Sequence, residues 1–255
     1  MSASCSQTAD VRCARAVGSH GNAAPATGDV IPGTGRPPYP AKEERELVKR
    51  LSGRSGYLAA KRAFDFLFSL CVVLVLLLPC LVIALLIFID DPEGSPLFVQ
   101  QRVGRGGRVF PMFKFRTMYK DAEKHLESLL EHNEKDGPVF KMKNDPRITR
   151  AGRILRKTSI DELPQFINVL AGHMSVVGPR PALPAEVTQY SERDRLRLAV
   201  KPGITCIWQT SRNRDDISFG QWVDLDIEYL RTCSMRTDLR LIVRTVSVVL
   251  TAEGA

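Results

Sequence analysis

Two adjacent acids, Asp161 and Glu162, are the residues whose types and spacing could do chemistry. They stand at the start of a stretch that Gly172 closes. The apolar residues of this stretch recur at the spacing of one buried helix face: Leu163, Phe166, Ile167 and Leu170. The positive end of a helix favours ionised carboxylates, which can then act as metal ligands or as a nucleophile. The pattern therefore predicts a short helix with two reactive acids at its N-terminus.

The same acids also have a purely structural interpretation. Either Ser159 caps the helix and Glu162 reaches back to it, as in a capping box, or Asp161 is itself the cap. We favour the second arrangement, because it places Pro164 in the first turn, where a missing N–H costs no hydrogen bond. Acids are common at helix starts, so capping alone could explain both residues.

Basic residues crowd the chain before the acid pair. Arg156, five residues before Asp161, could bring a guanidinium to a phosphate group that two carboxylates alone would repel. Further upstream, residues 97–118 contain apolar runs on both sides of three glycines, which predicts a β-hairpin with a glycine-rich turn. Its arginines could face phosphates or lipid headgroups, or could simply keep the hairpin soluble.

A membrane element precedes this hairpin. Residues 67–89 carry no charge and are mostly aliphatic, and as a helix they would extend roughly 34 Å, enough for a hydrocarbon core of about 30 Å. The helix could span the membrane, or it could bend at Pro79 and return to the same face. Basic residues flank both ends, which favours the re-entrant arrangement with both ends in the cytoplasm. These residues are Lys49, Arg50, Arg54, Lys61 and Arg62 before the run, and Arg102, Arg105 and Arg108 after it.

Composition limits the number of domains and the kinds of partner that the chain can have. The 255 residues suffice for one main domain, and a net charge of +8 suits nucleic acid, an anionic membrane face or phosphorylated substrates. No recognition helix or RNA-binding signature is present, so we expect no nucleic-acid partner. The six cysteines form no C-x-x-C pair and do not group with histidines, which predicts reduced thiols and no zinc.

Several stretches resemble the bacterial sugar transferases, also called monotopic phosphoglycosyl transferases. The resemblance is carried by residues 159–170 and 172–181, by the hairpin pattern from Phe98 to Phe110, by residues 114–118 and by residues 202–205. His173 stands where the family usually has an acid. Members of this family move a sugar phosphate from a nucleotide diphosphate sugar to a polyprenyl phosphate in the membrane.

The resemblance implies a role for each matching residue. Asp161 would be the nucleophile, and Asp161 and Glu162 would together bind Mg²⁺, with Glu162 also able to manage a proton. Two later acids would support catalysis or handle protons: Asp226 and Asp238. Four basic residues would bind substrate phosphates: Arg156, Arg180, Lys114 and Arg116.

The expected fold class is mainly α with a small β-hairpin (α+β), anchored in the membrane by one N-terminal re-entrant helix-break-helix. We expect a disordered tail and linker over residues 1–56, the re-entrant membrane helix over 57–91, and a cytoplasmic catalytic domain with interfacial helices over 92–255. The sequence does not decide between a monomer and a homodimer.

The resemblance implies transfer of a hexose 1-phosphate from a UDP-sugar to undecaprenyl phosphate at the cytoplasmic face of a bacterial inner membrane. UMP would be released through an aspartyl-phosphosugar intermediate, as the first membrane step of exopolysaccharide, capsule or O-antigen assembly. One alternative is a membrane-tethered binding or scaffold protein whose basic surface holds anionic lipid or nucleic acid. A second is a glycosyltransferase that leaves UDP.

Overall fold

The computed structural model describes residues 43–134, 136–140, 142, 144–211 and 217–250, so residues 1–42 of the expected disordered tail and linker lie outside the described part. The described chain is mainly helical with two small two-stranded sheets. The helices are α1 (Glu43–Ser52), α2 (Ser55–Asp90), α3 (Arg150–Lys157), α4 (Gln165–Leu170), α5 (Pro184–Thr188), α6 (Phe219–Thr232) and α7 (Met235–Leu250). The strands are β1 (Leu97–Val103), β2 (Val109–Phe115), β3 (Ser175–Val177) and β4 (Gly203–Thr205).

The long apolar helix α2 is the membrane element that the sequence predicts. It is the one helix of the described residues that is long and apolar enough to cross a membrane, and only 6% of its apolar window is buried. Its 36 residues run through Pro79 without interruption, so the secondary structure does not show a break there. A proline removes one N–H donor from the helix ladder, and apolar helices tolerate that loss.

Residues 43–52, which belong to the expected tail and linker, form α1. Leu47 and Leu51 are one helical turn apart, and Leu51 is buried against the core beneath α6. The joint between α1 and α2 is therefore only Gly53 and Arg54. Arg54 is itself fixed, because its Nη1 donates to the carbonyl oxygen of Cys233 at 2.7 Å.

The hairpin of β1 and β2 confirms the prediction made from the glycine-rich turn. The strands are antiparallel, with Leu97 opposite Phe115 and Val103 opposite Val109. Gly106 and Gly107 both adopt positive φ angles, of 72° and 79°, in the region that glycine occupies without steric cost.

The parallel pair of β3 and β4 was not predicted. It brings Ser175 opposite Gly203 and Val177 opposite Thr205. Next to this pair of strands, the backbones at Gly178 and Gly203 lie very close together. A Cβ at Gly203 would lie 2.1 Å from the backbone nitrogen of Gly178. This contact fixes the start of the turn that carries Arg180.

Candidate active site

The acid pair lies in a short 3-10 turn, Ile160–Glu162, that precedes α4. Ser159, immediately before this turn, has a φ of 56°, a left-handed conformation that few non-glycine residues adopt. Neither predicted capping arrangement occurs, because Ser159 makes no side-chain cap hydrogen bond and the residue preceding α4 is Pro164. The reversal at Ser159 turns the chain out of α3, and Asp161 becomes buried as a result.

Asn168 fixes the acid pair against the hairpin. Its Oδ1 accepts from the backbone N–H of Phe113 at 2.9 Å, and its Nδ2 donates to the carbonyl oxygen of Pro111 at 2.6 Å. The side chain is fully buried, so both hydrogen bonds are shielded from water. Sequence reasoning missed this residue, although a polar side chain within an apolar helix was a signal that could have found it.

Lys114 on β2 contacts the second acid. Its Nζ lies 2.9 Å from Oε1 of Glu162, and both side chains are partly exposed. Burial opposes ionisation of Glu162, but the charge and hydrogen bond of Lys114, together with the charges of Arg180 and Arg102, outweigh it. The net result is a lowered pKa, so Glu162 is ionised at neutral pH.

Asp161 has the opposite character. Burial raises its pKa to about 6, and the neighbouring charge of Glu162 adds to the rise, while Lys114 and Arg156 oppose it. Arg156 is held in place by a hydrogen bond from its Nε to Oγ1 of Thr117 at 2.9 Å. A poorly solvated carboxylate beside two cations can act as a nucleophile towards phosphorus.

If the Asp161 carboxylate is the nucleophile that the resemblance implies, its raised pKa predicts how the reaction depends on pH. A protonated carboxyl is a poor nucleophile, so kcat/KM should fall as the pH drops through about 6. An ordinary aspartate would titrate near 4. In a Lys114→Met variant the acidic limb should move to higher pH, because Lys114 lowers the pKa of Asp161. The measurement is a pH profile of the UMP release that the resemblance implies, and an acidic limb near 4 in both proteins would contradict this assignment.

The other predicted phosphate-binding arginines differ in their surroundings. Arg180 stacks over the ring of Trp222 at 5.8 Å, and its charge lowers the pKa of Glu162, which places it on the acid-pair side of the domain. Arg116 instead forms an ion pair with Asp91 at the end of α2, with 3.4 Å between Nη1 and Oδ2. Arg102, which the resemblance did not assign to the site, is buried and donates to the carbonyl oxygen of Pro181 at 3.0 Å.

The two later acids each have ion-pair or hydrogen-bond partners of their own. Asp226 forms a buried ion pair with Arg197, with 2.5 Å between its Oδ2 and Nη2. Asp238 accepts hydrogen bonds from Tyr57 and Lys61, both at 2.9 Å, and from Tyr229 at 2.7 Å. The network of Asp238 joins the first turns of α2 to α6 and α7.

The acid pair supplies only some of the ligands that a divalent cation needs. The described residues contain no group of three or more His, Cys, Asp and Glu side chains placed to bind a metal. Asp161 and Glu162 supply the carboxylate oxygens that Mg²⁺ prefers, and Mg²⁺ sites often combine one or two carboxylates with substrate phosphates and water. The acid pair therefore fits a Mg²⁺ ion that a phosphorylated substrate helps to hold.

The apolar helix α2 packs against the residues that flank the acid pair. Ile160 and Leu163 flank the two acids, and they pack in one apolar cluster with the second half of α2. The α2 residues of this cluster are Cys80, Ile83, Ala84 and Ile87. A carboxylate pair, an arginine and a lysine are thus placed near an apolar helix with an exposed apolar surface.

The sequence is similar to those of known bacterial proteins. The model of a family described as bacterial sugar transferase matches residues 56–252, and the chain belongs to that family. It is 43% identical over 201 residues to the galactosyl transferase CpsE of Streptococcus agalactiae, covering 78% of this chain and 44% of that protein. It is 37% identical over 224 residues to the exopolysaccharide production protein ExoY of Rhizobium meliloti, covering 86% and 95%.

A third relative is the UDP-glucose:undecaprenyl-phosphate glucose-1-phosphate transferase of Caulobacter vibrioides. The two are 37% identical over 204 residues, which cover 76% of this chain and 71% of the relative. The chain spans less than half the length of CpsE and of two other relatives of similar identity.

Proposed function

We propose that the chain transfers a hexose 1-phosphate from a UDP-sugar to undecaprenyl phosphate and releases UMP. The observation that carries the proposal is the buried Asp161 beside Glu162, Lys114 and Arg156, near an apolar helix with an exposed apolar surface. The acids and bases suit a diphosphate, and the helix suits a lipid-linked acceptor. The names of the Caulobacter relative and of CpsE support a hexose donor.

In the first step, an oxygen of the Asp161 carboxylate attacks the phosphorus that bears the sugar. The bond from this phosphorus to the bridging oxygen breaks, and UMP leaves with that oxygen. In the second step, a phosphate oxygen of the polyprenyl acceptor attacks the same phosphorus, which gives a polyprenyl diphosphate sugar and frees the carboxylate. A two-step transfer suits a site in which one buried carboxylate first takes the sugar phosphate from the donor and then passes it to the acceptor.

The surrounding charges keep the diphosphate close to Asp161. Arg156, oriented by Thr117, and Lys114 offset the negative charge that two carboxylates and a diphosphate bring together. Arg180 is positioned to add to this from the turn after β3. Mg²⁺ held by Asp161 and Glu162 would neutralise charge on the diphosphate and on the departing UMP.

We also propose that α2 enters the membrane and returns to the same, cytoplasmic face. Two observations support this: both ends of the helix contact the catalytic domain, and the section between them is largely exposed. Arg62 donates to the carbonyl oxygen of Val169 at 2.7 Å, and Oδ2 of Asp90 accepts from the backbone N–H of Ala151 at 3.2 Å. Between Ser69 and Cys80 most of the side chains are exposed. This section includes Pro79, where a bend is least costly.

Identifying the nucleotide product tests the proposed reaction. Incubation with UDP-glucose or UDP-galactose, Mg²⁺ and polyprenyl phosphate should yield UMP and a polyprenyl diphosphate hexose. Ion-exchange chromatography separates UMP from UDP. Release of UDP would assign the chain to the glycosyltransferases that transfer the sugar alone. Tight, salt-sensitive binding of DNA or anionic lipid without nucleotide turnover would favour the binding-protein alternative.

A further inference from the structure

The turns that carry Arg180 and Trp208 start from the same pair of strands. Arg180 follows β3 and Trp208 follows β4. The two turns are linked by a hydrogen bond from the backbone N–H of Gly203 to the carbonyl oxygen of Pro179, at 2.9 Å. Trp222 reaches the same place from the first turn of α6. Three separate elements therefore meet at Arg180 and the two tryptophans.

Trp222 contacts the guanidinium of Arg180 and a second aromatic ring at the same time. The Cζ atom of Arg180 lies 5.8 Å from the centre of the Trp222 ring, within the range of a cation–π interaction. The rings of Trp222 and Trp208 are nearly parallel, at 12°, with 4.3 Å between their centres. Both tryptophans are buried. Because Trp208 packs along its ring, Trp222 cannot turn away from Arg180 without opening the core.

The N–H donors of the Arg180 side chain are not used within the described part of the chain. The residue is half-buried, and no ion pair or side-chain hydrogen bond among the described residues includes it. Arg102 is a second arginine whose charge acts on Glu162, but it donates to Gln100 and to the carbonyl oxygen of Pro181. Of these two arginines, Arg180 is the one with donors left for a ligand.

Two carboxylates attract Arg180. Its charge contributes to the lowered pKa of Glu162, and it also opposes the raised pKa that burial gives Asp226. Asp226 is already paired with Arg197, with 2.5 Å between Oδ2 and Nη2, so its pull on Arg180 is reduced. Asp226 lies one helical turn after Trp222 on α6. The contact that α6 makes with Arg180 is therefore the neutral ring of Trp222 and not a carboxylate.

We propose that Trp222, supported by Trp208, is a positioning residue that holds the guanidinium of Arg180 for the diphosphate of the nucleotide sugar. An aromatic face attracts a cation without using its N–H donors, so these donors remain available to phosphate oxygens. A mobile arginine side chain loses rotamer freedom when it binds a ligand, and the ring of Trp222 reduces that loss in advance. The inference rests on the proposed function only in that the substrate is a nucleoside diphosphate sugar.

Binding of UDP with Mg²⁺, measured by isothermal titration calorimetry on the full-length chain in detergent, tests the proposal. Trp222→Leu should weaken UDP binding about tenfold, whereas Trp222→Phe, which keeps an aromatic face, should weaken it only about twofold. In an Arg180→Met background, Trp222→Leu should have almost no further effect, because Trp222 acts on the ligand only through Arg180. Phe219→Leu is the matched control, since it removes a ring from the same helix and the same apolar cluster, but one that packs on Tyr190.

Unchanged UDP binding in Trp222→Leu, or a loss that is equal in Trp222→Phe or in Phe219→Leu, would overturn the proposal. So would a Trp222→Leu loss that persists in full in the Arg180→Met background, or an unchanged chain that does not bind UDP. If the chain binds UDP in the expected pattern but releases no UMP from a UDP-hexose, the transfer reaction is wrong and this inference stands.

A second measurement covers the case in which Trp222→Leu does not fold. The chain has two tryptophans, and tetrafluorotryptophan can replace both while keeping their shape. Fluorine removes the negative charge of the ring face, so UDP binding should weaken about tenfold. Unchanged UDP binding in the fluorinated chain would overturn the proposal.

Discussion

Asp161→Asn should reduce UMP release by about a thousandfold or more while the protein still folds. An amide keeps the shape of the side chain but cannot attack phosphorus, and loss of a nucleophile commonly costs several orders of magnitude in kcat. The assay is UMP release with a UDP-hexose, Mg²⁺ and polyprenyl phosphate. Asp121→Asn is the matched control, because Asp121 is an exposed acid that pairs only locally with Lys124.

The same variant should be more stable than the unchanged chain at neutral pH. The pKa of Asp161 is raised in the folded state, so its contribution to stability is present at low pH and is lost as the pH rises through about 6. At pH 7 the ionised, buried carboxylate therefore destabilises the fold, by about 1–3 kcal/mol. Asn does not ionise, so the melting temperature of the variant should be several degrees higher than that of the unchanged chain. Full turnover in Asp161→Asn would exclude this residue as the nucleophile.

Arg197→Met should destabilise the fold by about 3–5 kcal/mol, because it leaves Asp226 buried and without its ion-pair partner. For a chain of this size, that loss corresponds to a fall in melting temperature of about 6–20 °C. The double variant Arg197→Met with Asp226→Leu should recover most of the lost stability, since it buries no charge.

The double variant also tests the catalytic role that the resemblance implies for Asp226. If Asp226 serves only as the partner of Arg197, the double variant should regain UMP release along with its stability. A stable double variant without activity would instead support a role for Asp226 in the transfer itself. Thermal unfolding in detergent and UMP release, measured on the same preparations, separate the two outcomes.

The features that could be predicted from the sequence are those with a local cause. The apolar run within α2 is uncharged over many residues, and the glycines at 106 and 107 permit the left-handed turn between β1 and β2. A strand of three residues, such as β3, is too short to show an alternating pattern, so its pairing with β4 was missed. The predicted capping of α4 was wrong, because Ser159 adopts a left-handed conformation and the two acids lie in a separate 3-10 turn before the helix.

Within the site, the residues themselves were easier to predict than the side chains and backbone groups that they contact. The acid pair and Arg156 are close in the chain, and the structure brings them together with Lys114. The partners of Asp238 are far apart in sequence, since Tyr57 and Lys61 lie 181 and 177 residues away, and no local pattern connects them. The two hydrogen bonds of Asn168 to the hairpin are also long-range. Such contacts depend on how whole elements pack.

The central claim is that the sugar phosphate rests on Asp161 between the two steps. Intact-protein mass spectrometry after mixing with a UDP-hexose and Mg²⁺, without polyprenyl phosphate, tests it most directly. We predict a mass increase of one hexose phosphate, which peptide mapping places on Asp161 and which disappears when polyprenyl phosphate is added. No mass increase in an enzyme that turns over with acceptor present, or an adduct on another residue, would contradict the account.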